Sequence, residues 1–270
     1  MKLGALIVLY NPTNEQINNC VNSSNYFDKL IVIDNSENDI FYIQSTEKID
    51  YMKMKNNIGL AKALNIGFLK LYELGFKWGV YLDQDTFVDE KFKNEYLDKL
   101  EYNTKVGLYT PQYLIDRKKE PRLSDDSVEV IWTMTSASIY NLEIMDNLNY
   151  FDERYFLDVV DYEYCLRCHK NGFKVIRYNG YAVHHNPGIT MTTKLFKYKY
   201  GYMSPIRYYY QIRNLKLLYS TYRYKKIKLI IFYKLLKVIL LFDNKKQYYK
   251  MNKKAKFDFK KNKFYKIDLN

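Results

Sequence analysis

Cysteine, proline and histidine are all scarce in this 270-residue chain: three cysteines, five prolines and three histidines. Cys20, Cys165 and Cys168 do not form a disulfide framework, which points to a reducing compartment. Cys165-Leu166-Arg167-Cys168-His169 has the spacing of c-type haem attachment, but it lies in a helix-prone segment and reads as coincidence. A structural zinc site would need a second ligand pair, and none is present in the sequence. Long apolar runs are also missing. The most apolar stretch, Leu229 to Phe242, is interrupted by Lys234 and Lys237 and is too short to span a bilayer. The N-terminus enters a strand-like run, Leu3 to Leu9, without the pattern of a signal peptide, so a cytoplasmic protein is expected.

Acidic residues nearly vanish from the C-terminal part. Residues 191–270 hold 22 Lys and Arg against 3 Asp and Glu, whereas residues 1–190 hold 21 against 27. A mildly acidic body thus carries a strongly basic tail, and such a tail suits a polyanion, either an anionic membrane surface or nucleic acid. Hydrophobic content of 47% is ordinary for a globular protein and ample for a core. No internal repeat is visible.

The first 110 residues alternate strand and helix. Strands are expected over Leu3–Leu9, Leu30–Ile33, Asp50–Lys55, a run ending at Asp83, and Val106–Thr110; helices over Thr13–Ser24, Leu60–Glu73 and Glu90–Leu100. That rhythm predicts an α/β fold with a largely parallel sheet, in which ligands bind outside the carboxyl ends of the strands. Tyr10-Asn11, Asp34-Asn35, Asn56-Asn57 and Asp83-Gln84-Asp85 all fall at such ends. Residues 111–131 read as a surface loop, Ile131–Tyr140 as a strand, Leu142–Leu148 as a short helix, and a helix follows from about Val160. Phe173–Arg177 reads as a strand, and the final twenty residues as poorly ordered.

Three groupings carry chemistry. Asp83 and Asp85, two acids at the end of a buried strand, are costly unless a cation is present, and a divalent metal holding a phosphorylated ligand would account for them. The plain alternative is a cap for the helix starting near Asp89. Asp158, Asp161 and Glu163 form a second acidic group. On a helix the first two share a face, and Glu163 can pair with Arg167. A carboxylate there could act as a general base. His184-His185, before Asn186-Pro187-Gly188, can supply an imidazole to a metal begun by carboxylates. The helix start at Asn56-Asn57-Ile58-Gly59-Leu60 suits a diphosphate through its free N–H groups, although an ordinary Asn cap reads equally well.

Taken in order, Ile33-Asp34-Asn35-Ser36, Asn57 to Gly67, Leu82-Asp83-Gln84-Asp85-Thr86 and Phe156 to Arg167 resemble the family 2 glycosyltransferases, in particular a bacterial rhamnosyltransferase-like branch. Arg207-Tyr208-Tyr209-Tyr210-Gln211-Ile212-Arg213-Asn214 resembles the aromatic Arg-Asn segment that follows the catalytic domain in that branch. The resemblance implies the GT-A fold, a Rossmann-like nucleotide-diphospho-sugar transferase with a mixed, mainly parallel sheet flanked by helices, and a basic helical C-terminal extension. It implies a domain over residues 1–215, with a nucleotide-sugar-binding half at 1–110 and an acceptor and catalytic half at 111–215; residues 216–270 form a basic amphipathic tail.

It further implies an inverting transfer from a nucleotide-sugar, best matched by dTDP-rhamnose, to a saccharide or lipid-linked saccharide acceptor. Donors such as UDP-galactofuranose, UDP-galactose and UDP-glucose are alternatives. Asp161 would be the general base. Tyr10, Asn11, Asp34, Asn57, Lys62 and Asp83 would contact the donor. Asp85 and His185, with Asp83 beside them, would hold Mg²⁺ or Mn²⁺. Trp132, Ser136 and Glu163 would lie on the acceptor side. Two positions depart from the branch: Tyr164 stands where Trp is common, and Ala137 replaces a Gly between Ser136 and Ser138.

The tail, with Lys234 and Lys237 between apolar patches, reads as a helix in the headgroup layer with its lysines snorkelling to the anionic inner face of the cell membrane. Its tyrosines could stack nucleobases, but a body built around Asp83, Asp85 and Asp161 argues against a nucleic-acid partner.

Overall fold

In the computed structural model, residues 2–100, 105–185, 188–193 and 197–267 are described; Asn186 and Pro187 lie outside them. The N-terminal half follows the expected alternation: β1 (Leu3–Leu9), α1 (Asn14–Ser23), β2 (Lys29–Asp34), β3 (Ile49–Lys53), α2 (Leu60–Glu73), β4 (Trp78–Asp83) and α3 (Glu90–Leu100). Each start has a local cause. Thr13 caps α1 in a reciprocal capping box with Gln16. Gly59 precedes α2 with φ +87°, and a Cβ there would press into Phe156, whose carbonyl accepts from Leu60 N at 2.7 Å. That bond sets the start of α2 against the segment leading to Asp161, and takes one of the N–H groups expected to be free for a ligand.

The chain continues through β5 (Val106–Leu114), β6 (Ser127–Glu129), β7 (Ser138–Asn141), α4 (Leu142–Asn147), α5 (Val160–Lys170), β8 (Lys174–His184), β9 (Ile189–Thr192) and β10 (Lys199–Tyr202). β1–β8 build one sheet in the order β3-β2-β1-β4-β7-β5-β8-β6. The β3-β2-β1-β4 portion is parallel, β7 runs antiparallel to both β4 and β5, and β5 is parallel to β8. The sheet is mixed and mainly parallel, as expected. β1 is buried along its whole length, as a strand covered on both faces should be.

Several boundaries differ from the sequence reading. β5 runs on through Pro111 to Leu114, and Pro111 falls in the register shift between Thr110 and Gln112, where the missing N–H is tolerated. Residues 111–131 are therefore part strand, not loop throughout. The strand expected over 131–140 forms only from Ser138, and β8 continues to His184, well past Arg177. β9 and β10 form a separate antiparallel hairpin that the sequence did not announce.

Three helices close the chain: α6 (Pro205–Tyr222), α7 (Lys225–Leu241) and α8 (Lys245–Lys260). The expected boundary after residue 215 falls inside α6. The expectation of a poorly ordered end is corrected, because α8 is a four-turn helix and Asp258 accepts from Tyr209 Oη at 2.7 Å. Beyond it, Ile267 N donates to Tyr210 Oη at 2.8 Å.

α7 carries apolar residues on both sides: Ile227 and Val238 are buried, and Ile231 and Leu235 pack against the core. Leu229, Phe232, Tyr233, Leu236, Ile239 and Leu240 are exposed, while Lys234 and Lys237 lie on the inner side. Lys234 Nζ donates to Gln211 Oε1 and Lys237 Nζ to the Gly201 carbonyl, both at 2.5 Å. The expectation that these lysines reach outward to headgroups is therefore overturned: neutral oxygens on α6 and β10 capture them. Among the described residues no helix is long and apolar enough to cross a membrane.

Candidate active site

Parallel strands deliver polar residues to one edge of the sheet, and the site is built there. β4 ends on Asp83, whose Oδ1 accepts from Tyr81 Oη at 2.7 Å and whose N donates to Ser136 Oγ at 3.3 Å. Ser136 is buried and its hydroxyl sits 2.5 Å from that of Thr86, so it clamps the Asp83–Thr86 turn. Gln84 ties this turn to the β1–α1 loop, accepting from Tyr10 N at 2.8 Å and donating to Gln16 Oε1 at 3.1 Å. Ala137, where the resemblance expects glycine, adopts φ 55° and donates to Tyr81 O at 2.7 Å. The left-handed conformation explains why glycine suits that position.

 His185 follows the end of β8, and its Nδ1 lies 3.7 Å from Asp83 Oδ2. The His185 main chain is fixed by its N donating to Leu114 O at 3.1 Å, and its side chain is 13% exposed. His184, one residue earlier, is exposed.

Asp83, Asp85 and His185 place one ligand atom each within 4.8 Å of one another. Two carboxylates and an imidazole fit Mg²⁺ or Mn²⁺, which favour hard oxygen donors and accept a nitrogen. Burial raises the Asp83 carboxyl above the usual carboxylate range, with Asp85 adding to the effect and His185 opposing it. A cation at this point would relieve that cost.

Asp161 stands in the first turn of α5. Loss of solvent pushes its carboxyl up to about 7, and the charges of Asp158 and Asp83 push the same way. The turn before it is strained. Asp158 and Val159 both have positive φ, 61° and 68°, and a β-branched residue there is a true outlier. The surroundings enforce it: Asn214 Nδ2 donates to the carbonyls of Leu157 at 2.7 Å and Asp158 at 2.9 Å. Arg207 pairs with Asp158 at 2.7 Å, and Gln211 Nε2 reaches the same carboxylate at 3.4 Å. Asp158 is thus outside the helix and does not share a helical face with Asp161, contrary to the sequence reading.

The other expected residues divide. Tyr10 is 44% exposed at the rim, and Asn11 N donates to Ser36 Oγ at 2.8 Å. Asp34 is fully buried and engaged by Ser36 N, Tyr51 Oη and Lys53 Nζ. Asn57 Oδ1 accepts from Asn35 Nδ2 and Gly59 N, a loop-ordering role. Lys62 faces Glu153 at 3.9 Å on the surface. Trp132 stacks on Tyr162 at 5.1 Å and 17°, next to Asp161 in sequence. Glu163 is 4% exposed and held by Arg167 at 2.8 Å and Tyr222 Oη at 2.7 Å, so it faces the core. Arg207 and Asn214 were seen in sequence only as part of a motif; their contacts with the Asp158 turn, about 50 residues away, carry no local signal.

No protein-family model matches the chain. The dTDP-rhamnosyl transferase RfbF of Shigella flexneri is 28% identical over 247 residues, covering 79% of this chain and 78% of that protein. Residues 1–349 of S. aureus TarS in complex with UDP-GlcNAc superpose with a TM-score of 0.57 at 13% identity, covering 94% of this chain and 80% of that one. GalNAc-T7 with UDP, GalNAc and Mn²⁺ gives a TM-score of 0.57 at 11% identity, covering 96% of this chain and 56% of that one. The structural likenesses show the fold, which is GT-A. With the sequence relationship, they make this chain a glycosyltransferase. Within that class it is similar to the dTDP-rhamnosyl transferase of Shigella flexneri.

Proposed function

We propose that the enzyme transfers rhamnose from dTDP-rhamnose, with inversion, to a hydroxyl of a growing bacterial surface polysaccharide or lipid-linked oligosaccharide. The observation that carries this reading is Asp161, a carboxyl raised to about 7 near a cluster of Asp83, Asp85 and His185. Asp161 accepts the proton of the acceptor hydroxyl as its oxygen attacks the anomeric carbon. The bond from that carbon to the diphosphate breaks on the opposite face, and the leaving group departs with the electron pair. A single displacement of this kind inverts the anomeric centre.

Asp85 and His185, with Asp83, would hold Mg²⁺ or Mn²⁺, which when bound supplies a Lewis acid for the departing diphosphate. Tyr10, Asn11 and the Asp34 region line the donor side, and Trp132 beside Tyr162 offers an aromatic surface to the acceptor. Residues 1–215 form the transferase unit in this reading, and the extension beyond it meets the anionic inner face of the cell membrane. The outward apolar residues of α7 support that contact.

UDP-linked sugars are the second reading, favoured by the UDP and UDP-GlcNAc in the structural relatives. Turnover measured against a panel of dTDP- and UDP-sugars with Mn²⁺ separates them. Turnover of UDP-sugars alone would overturn the rhamnose assignment.

A further inference from the structure

Lys234 and Lys237 lie on the inner side of α7, and among the described residues neither has a carboxylate within ion-pairing distance. Their partners are neutral oxygens. Burial lowers both, bringing Lys237 to about 8, with Lys234 and Arg117 nearby adding to the effect. Gln211 links Lys234 to Asp158, which Arg207 also binds. Arg207 in turn feels the charges of Asp83 and Asp85. Three cations with a single carboxylate among them therefore run from α7 toward the metal cluster. Cations held in this way are costly unless an anion joins them.

The donor's diphosphate already has a place at the metal cluster in the function proposed above, on which this inference rests. The outer side of the same helix is apolar, and the two sides of a helix are about 10 Å apart, within reach of one lipid headgroup. We propose that Arg207, Lys234 and Lys237 bind the phosphate or diphosphate of a lipid-linked acceptor whose tail lies along the outer face of α7. The cations hold the acceptor's anchor while its terminal sugar reaches Asp161.

The test uses the full chain and phosphatidylcholine vesicles doped with a polyprenyl diphosphate, with the polyprenol alone or with phosphatidylglycerol. The wild type should bind the diphosphate vesicles in preference to the other two. Lys234→Met with Lys237→Met should lose that preference by about tenfold or more, because the charge-assisted hydrogen bonds to the phosphate oxygens are gone. Lys234→Arg with Lys237→Arg should retain it, which guards against a simple folding defect. Equal binding by wild type and the Met variant, or no preference for diphosphate over phosphatidylglycerol, overturns the proposal. Donor turnover by the wild type, measured alongside, reports on the proposed function independently.

Discussion

Asn214 on α6 donates through one amide nitrogen to two consecutive carbonyls, those of Leu157 at 2.7 Å and Asp158 at 2.9 Å. The two bonds hold the left-handed turn that aims Asp161 from the start of α5. Asn214→Ala would leave both carbonyls unsatisfied, at a cost of about 1–3 kcal/mol. If Asp161 acts as proposed, turnover should fall more than the acceptor KM rises, because Asn214 positions that carboxyl without touching substrate. A thermal melt with steady-state kinetics checks both parts.

Asp161→Asn should lower turnover by about 10²–10⁴-fold. In the wild type, activity should rise with pH through about 7 as the carboxyl ionises. Stability has the opposite sign: a raised folded pKa means that ionisation on unfolding is favoured, so stability is lost as pH climbs from the ordinary carboxylate range to about 7. The variant should therefore gain melting temperature over the wild type across that window and hold the gain above it. A flat difference across pH would contradict the burial of this group.

His185→Ala removes the imidazole from the cluster of Asp83, Asp85 and His185. Mn²⁺ should bind the variant at least about tenfold more weakly, and chelation should abolish wild-type turnover. Titration followed by manganese electron paramagnetic resonance reads the affinity directly.

Phe232→Glu with Leu236→Glu places two charges on the outer face of α7, where both residues are exposed. Binding to anionic vesicles should be lost while the melting temperature stays within the small range of surface substitutions. Co-sedimentation checks the first and calorimetry the second.

The parallel half of the sheet was legible because β1, β2 and β4 are buried runs with polar exits, a pattern local enough to read directly. Asp83, Asp85 and His185 were legible as separate motifs, and the fold supplied only their meeting. The Asp158 turn was not, because its φ values are imposed by Asn214 and Arg207 from a distant helix and oppose the local propensity of valine. α7 misled for a related reason. Its spacing is amphipathic, but which side faces inward is settled by Gln211 and the Gly201 carbonyl, which periodicity does not contain.

Arg213 is fully buried beside Asn214, and its guanidinium donates to the carbonyl of Tyr265 at 2.7 Å and to that of Arg154 at 3.3 Å. Segments more than a hundred residues apart thus meet at one side chain. The stretch after α8 is thereby tied, through α6, to the segment that leads into the Asp158 turn, so removing the last helix should also loosen the seat of Asp161.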